Sequence, residues 1–281
     1  IYTPGGAVDL IKRITVSDGY EAEGSFNMAY VSMVRGSIPF LLLSYIIPDW
    51  DIVSADEITI EGENMEEMLE RERLYMKESM DAAIINAYQA AGADISITGA
   101  ISEVSYIAEE ADTNLKIGDE IIRVNDVEIH SLDDLRAIIE ELDEDEQVQL
   151  DVIRDDEELE CYAYTYNTDD GMKIGVSLLT TYEYTTNPEV SITSKASEAG
   201  SSGGLMMSLT IYNSLVPEDI TGGKKIVGTG TIDIDGNVGE IGGVKYKLIG
   251  AVKNDADVFI CPEENYEEAL SVAEDKNYDI Q

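Results

Sequence analysis

Histidine is almost missing from this chain: His130 is the only one in 281 residues. A Ser-His-Asp triad needs an imidazole as its base, and zinc centres draw on several histidines or cysteines. His130 stands just before Ser131, the expected N-cap of a helix, and reads as a surface residue. There are two cysteines, Cys161 and Cys261, too far apart for metal-ligand spacing, and each sits in an apolar run that suits a buried free thiol. No metal centre and no cofactor is expected. Basic residues are scarce as well, with 18 Lys and Arg against 58 Asp and Glu, a formal charge of −40. Such a surface repels phosphate backbones and anionic lipid headgroups, so nucleic acid is a poor partner. No apolar run reaches the 18 or so residues of a membrane span. The longest, "GSIPFLLLSYII" at 36–47, is interrupted by Pro39. The sequence starts at Ile1 without a Met, which leaves room for an anchor or signal upstream. The Gly-Lys-Ser/Thr ending of a phosphate-binding loop and the GxGxxG spacing are both missing.

What is present divides by composition. Glu103 to Glu160 holds 22 acids against four bases, a net −18, and reads as a module with a solvated acidic coat. Before it, "SFNMAYVSM" (25–33) is strand-like and suggests a hairpin with the earlier "LIKRITV". The stretch 63–92 carries Met65, Met68, Leu69, Met76, Met80, Ala83, Ile84 and Ala87 near helical spacing and stops at Gly92. It is expected to form one long amphipathic helix whose methionines pack a core. From about residue 95 the pattern changes to short strands, with one helix at "SLDDLRAIIEEL" and paired strands around Asp155-Asp156; "NTDDG" (167–171) reads as a linker. The remainder alternates strands and helices. The expected fold class is α+β: an N-terminal segment 1–94, a β-rich module 95–167, and an α/β domain 168–281.

Two stretches of that last domain carry chemistry. "SEAGSSGGLMMSL" sets two serines at the start of an apolar helical pattern. Ser201 or Ser202 can cap that helix, as serine often does. Alternatively, Ser202 looks inward at a helix N-terminus, where backbone N–H groups stabilise an oxyanion. A serine nucleophile without histidine needs another base. Lysine serves when burial lowers its pKa, because desolvation disfavours the ammonium form. Lys245 and Lys247 flank opposite edges of the apolar stripe Val244, Leu248, Ala251 and Val252, and periodicity does not choose between them.

Together, "GSSGGLMMSLTIYNSL", "GTGTI" and "GGVKYKL" resemble the proteolytic domain of Lon-like peptidases, over roughly 172–281. That resemblance implies Ser202 as nucleophile, Lys247 as general base and Thr229 as the threonine supporting the lysine. Ser201 stands in place of the family's proline, Gly203 in place of its alanine, and Ala199 in place of an acid that many members carry. "LKIGDEIIRVNDVEIHSLDDLRAII" resembles the core of a PDZ domain, with Val127 where glycine is usual. The implied peptide groove lies beside Gly99 to Val104. Substrate-binding residues are then Thr98, Gly99, Ala100 and Ile101, with a loop at Thr98–Ala100 meeting a peptide carboxylate.

Over its whole length the chain is similar to the extracytoplasmic part of bacterial PDZ-containing Lon-like proteases, which carry an N-terminal transmembrane helix and no ATPase domain. The resemblance implies an ATP-independent serine endopeptidase acting on unfolded or flexible polypeptides, in which the PDZ module binds peptide C-termini and selects or gates substrate. It implies, too, an extracytoplasmic location at a bacterial membrane and assembly into homo-oligomers. A non-catalytic PDZ adaptor on a peptidase-like scaffold is the alternative.

Overall fold

The computed structural model describes residues 1–129 and 131–281; His130, read above as a surface residue, lies outside the described residues. In chain order the first elements are strands β1 (Tyr2–Asp9), β2 (Ile14–Val16) and β3 (Ser25–Met33), then helices α1 (Ile38–Ser44) and α2 (Met65–Ala91). The middle of the chain forms β4 (Asp94–Ile107), β5 (Glu120–Val124), β6 (Val127–Glu128), α3 (Leu132–Glu140), β7 (Gln147–Arg154) and β8 (Glu157–Tyr164). There follow β9 (Tyr166–Thr168), β10 (Gly171–Lys173), β11 (Val176–Asn187), β12 (Val190–Ile192), α4 (Gly204–Leu215), β13 (Lys225–Gly228) and β14 (Thr231–Ile232). The last elements are β15 (Val238–Gly239), α5 (Val244–Lys253), β16 (Val258–Ile260) and α6 (Tyr266–Asp275). The mixture of helices and sheets is an α+β fold.

Two compact units share the chain: residues 1–54, 79–96 and 185–281 form one, and 55–78 with 97–184 the other. Three of the four divisions pass through α2, β4 and β11, and the fourth falls after residue 54, whereas sequence pattern alone put edges after residues 94 and 167. Strand pairing explains the difference. β11 lies beside β4 in one sheet, a relationship that local composition does not encode.

The first unit is built on a four-stranded sheet in the order β1-β3-β13-β16. β1 and β3 are antiparallel, while β3, β13 and β16 run parallel. Neighbouring residues of a strand face opposite sides. Accordingly Ala29 packs with Val227 and with Ala251 of α5, and Met28 next to it reaches Gly203 at the start of α4. Helices therefore cover both faces. The hairpin expected between "LIKRITV" and β3 is not formed: β3 takes β1 as its antiparallel partner, and β2 pairs with β12. Asp9 redirects the chain, its carboxylate accepting the Ile11 N–H at 3.3 Å to start a 3-10 turn. α2 ends as expected at Gly92, whose φ of +64° is a conformation that suits glycine.

The second unit holds a six-stranded sheet in the order β11-β4-β5-β7-β8, with β6 on β5. Val104, Val124, Val148, Leu150, Val152 and Ala163 are fully buried beneath Leu135 and Ile139 of α3. Ser131 caps α3, accepting the Asp134 N–H at 3.2 Å. The β7–β8 turn places Asp155 and Asp156 at φ +52° and +64°, the left-handed pair of a tight hairpin turn. "NTDDG" is not a linker but the tip of the β9–β10 hairpin, in which Thr168 pairs with Gly171. Asp169-Asp170 and a glycine at φ +105° provide turn chemistry that composition cannot tell from a linker.

Candidate active site

α4 begins in tight quarters. Its N-cap is Gly203, and no side chain caps it, so neither Ser201 nor Ser202 serves the helix in that way. The glycines here are demanded by proximity rather than by flexibility. A Cβ at Gly203 would meet Met28 Sδ at 2.0 Å, and one at Gly204 would meet Ser79 Oγ at 2.3 Å and Ile232 Cγ2 at 2.8 Å. The alanine that stands in the Lon family at position 203 thus fits only if Met28 swings aside.

The loop entering α4 is fixed through its carbonyls. The Ser201 carbonyl accepts the Ser79 hydroxyl at 2.8 Å and the Gly204 N–H at 3.2 Å. That of Ser202 accepts the Gly230 N–H at 2.8 Å and the Thr229 hydroxyl at 2.9 Å. The Leu205 N–H in turn donates to the Gly230 carbonyl at 3.1 Å. Residues 201–205 are thereby laced to the segment where β13 ends. Between β13 and β14 the strand is interrupted at Thr229-Gly230, and that break supplies the groups holding the serine loop.

α5 settles which lysine faces inward. It packs on β1 and β3, which buries the Tyr246, Lys247 and Leu248 side of its first turns. Lys245 instead reaches Asp51 at 2.7 Å, with Asp49 at 3.9 Å, and remains partly exposed. Tyr246 donates its hydroxyl to the same Asp51 at 2.6 Å. Lys247 is only 4 % exposed, and its Nζ donates to Thr229 Oγ1 at 3.1 Å. Thr229 is fully buried.

Among the described residues no carboxylate pairs with Lys247. In a chain of 58 acids that isolation has a chemical result. Burial, unopposed by any anion, lowers its pKa from 10.5 to about 8. Near neutral pH an appreciable fraction of this amine is uncharged and able to accept a proton. Ser202 Oγ and Lys247 Nζ make no direct hydrogen bond among the described residues. Thr229 touches both partners, accepting from the amine and donating to the serine's carbonyl.

In the second unit, Thr98, Gly99, Ala100 and Ile101 are not a loop. They lie within β4, which has β11 on one side and β5 on the other in the sheet order. A Cβ at Gly99 would meet Glu183 Oε2 of β11 at 2.7 Å. The expected carboxylate-binding loop is therefore absent at this position. β11 is one of the two terminal strands of the sheet, and a cavity of about 790 Å³ lies between its start and α3. Leu132, Leu135 and Ile139 line one wall, and Ile174, Val176 and Leu178 the other. Gly175, at φ +76° with Ala111 Cβ 2.6 Å from where its own would sit, has no room for a side chain. A helix beside an edge strand is the geometry into which an extended peptide adds as a further strand. Its sequence signal was the alternation in "GMKIGVSL", which reads equally well as a strand of the peptidase domain.

Metal chemistry has little to draw on: among the described residues no three His, Cys, Asp or Glu side chains gather as a metal-holding group. Residues 100–163 match the PDZ domain family, and residues 188–281 match the Lon protease (S16) C-terminal proteolytic domain. No curated protein matches the chain.

Proposed function

We propose that this chain, a PDZ-containing Lon-like protease, is a serine endopeptidase in which Ser202 is the nucleophile and Lys247 the general base. The observation that carries the reading is the buried, acid-free Lys247 amine, tied through the Thr229 hydroxyl to the carbonyl of Ser202.

In the proposed reaction Lys247, in its neutral form, takes the proton of Ser202 as Oγ bonds to the scissile carbonyl carbon. Backbone N–H groups near the start of α4, other than those of Gly204 and Leu205 that already bind the Ser201 and Gly230 carbonyls, stabilise the resulting oxyanion. The lysine returns the proton to the leaving amine as the C–N bond breaks, leaving an acyl-serine. Water, deprotonated by the same amine, releases the second product. Thr229 positions the lysine and takes no proton itself. No step requires a nucleotide.

The substrates in this reading are unfolded or flexible polypeptides, and the groove between α3 and β11 selects or gates them by holding an extended segment. Its location is the extracytoplasmic face of a bacterial membrane, with an anchoring helix upstream of Ile1, and the protein works as a homo-oligomer. One observation favours the non-catalytic adaptor: Ser202 Oγ and Lys247 Nζ are not in direct hydrogen-bond contact. Casein degradation separates the readings. Parent activity that Ser202→Ala abolishes supports the peptidase, and equal rates in the two favour the adaptor.

A further inference from the structure

Unit one carries an unusual exposed apolar segment. From Gly36 to Pro48 no residue is charged, although Asp, Glu, Lys and Arg make up 27 % of the chain. α1 lies within it and buries none of its residues. Ile38 is 77 % exposed, Leu42 62 %, Tyr45 82 % and Ile46 77 %, and Phe40 and Leu43 on other sides of the helix are exposed too.

The base is rigidly held even though the tip is bare. Val34 N–H donates to the Ile1 carbonyl at 2.9 Å, and Asp51 exchanges backbone hydrogen bonds with Tyr2 at 2.9 and 3.0 Å. Lys276 binds Asp49 at 2.9 Å, and Lys245 binds Asp51. Trp50, the chain's single tryptophan, stacks at a tilt on Phe40 with ring centroids 6.2 Å apart.

A protein partner covers one stripe of a helix, whereas a helix apolar all round suits a medium that surrounds it. Aromatic residues at the border of an apolar tip match the interface between acyl chains and headgroups. A second copy of this chain would cover one stripe of α1 and leave its other apolar side chains in water. Arg35, at the foot of the tip, is exposed and makes no ion pair among the described residues, so it is free to meet a phosphate.

We propose that the tip 36–48 inserts into the interfacial layer of a zwitterionic phospholipid surface, with Arg35 against headgroup phosphates and Trp50 at the boundary. This contact is independent of the peptidase chemistry. It docks the first unit by a shallow apolar insertion of the kind used by interfacial helices.

Trp50 is the reporter. With phosphatidylcholine vesicles its emission should shift to the blue and be quenched by brominated acyl chains. The double variant Leu42→Glu, Ile46→Glu should partition roughly tenfold less or weaker still, as charge placed among acyl chains demands. Its melting temperature should match the parent's, because neither side chain is buried. Arg35→Glu should weaken partitioning about threefold, in line with one lost headgroup contact. Absence of any shift overturns the proposal, as does an equal shift in the double variant. So does a Trp50 shift with unfolded casein but none with vesicles, which would mark a substrate surface. Concentration-dependent self-association that the double variant abolishes, without vesicle binding, would assign the tip to a second copy. Unchanged partitioning of Arg35→Glu would remove the charge argument for lipid.

Discussion

Lys247 Nζ donates to Thr229 Oγ1 at 3.1 Å, and the same hydroxyl donates to the Ser202 carbonyl at 2.9 Å. One buried threonine thus fixes the distance between the α5 turn that carries the amine and the loop that carries the serine. Lys245, two residues earlier, is occupied with Asp51 on the outside. Lys247→Arg should therefore abolish casein cleavage, since arginine stays charged and overfills the site. Lys245→Ala should retain at least about half of parent kcat, in keeping with a surface ion pair worth little. Loss of activity in Lys245→Ala with retention in Lys247→Arg would reverse the assignment.

The same amine leaves a mark on stability. Its folded pKa, about 8, lies below the 10.5 of an exposed lysine, so the unfolded chain binds the extra proton between those values. Stability from this group therefore rises with pH across that window, and below pH 8 the buried charge costs about 3 kcal/mol. Lys247→Met should be more stable than the parent at pH 6 by about that amount, and the gap should close towards pH 10.5. Denaturant melts at the two pH values measure it; a gap that does not change with pH contradicts the burial argument.

Gly204 is where the serine loop touches α2. An added methyl would press on Ser79 Oγ, which holds the Ser201 carbonyl. Gly204→Ala should cost about 1–3 kcal/mol of stability, the usual range for overpacking. Ser79→Ala in that background should recover part of the loss. The double-mutant cycle reads the coupling, and strictly additive effects would show that the two positions do not touch as described.

For the groove, Ile139→Asp places a charge in the apolar wall opposite Val176. Binding of a fluorescent peptide with an apolar C-terminus should fall at least tenfold, consistent with burying an unpaired carboxylate. Thr98→Ala, within β4, should bind as the parent does. The reverse pattern in fluorescence anisotropy would return the peptide site to residues 98–101.

Much of this was legible in residue pattern. The long helix ending at Gly92, strand 25–33 and helix 204–215 follow from apolar spacing and from glycine, which local physics dictates. What pattern could not supply was pairing. The period-two run at 172–178 reads the same in either unit, and only its place at the free edge beside α3 makes it a groove wall. β2 looked like a partner for β3 because they are close in sequence, yet β1 has the longer matching register. Lys245 and Lys247 lie at two edges of one stripe; spacing does not choose between them, resemblance names Lys247, and the packing of α5 on β1 and β3 buries it. The role of Thr229 rested on resemblance; its contacts with both partners come from the break after β13.

The central claim is that a neutral Lys247 activates Ser202. The most direct measurement is the rate at which a fluorophosphonate probe labels Ser202, followed from pH 6 to 10 with the modified peptide identified by mass. One label on Ser202 is expected, with a rate rising through an inflection near pH 8 and no labelling in Lys247→Arg. Labelling of Ser202 at a rate indifferent to pH, or equal labelling in Lys247→Arg, would contradict it.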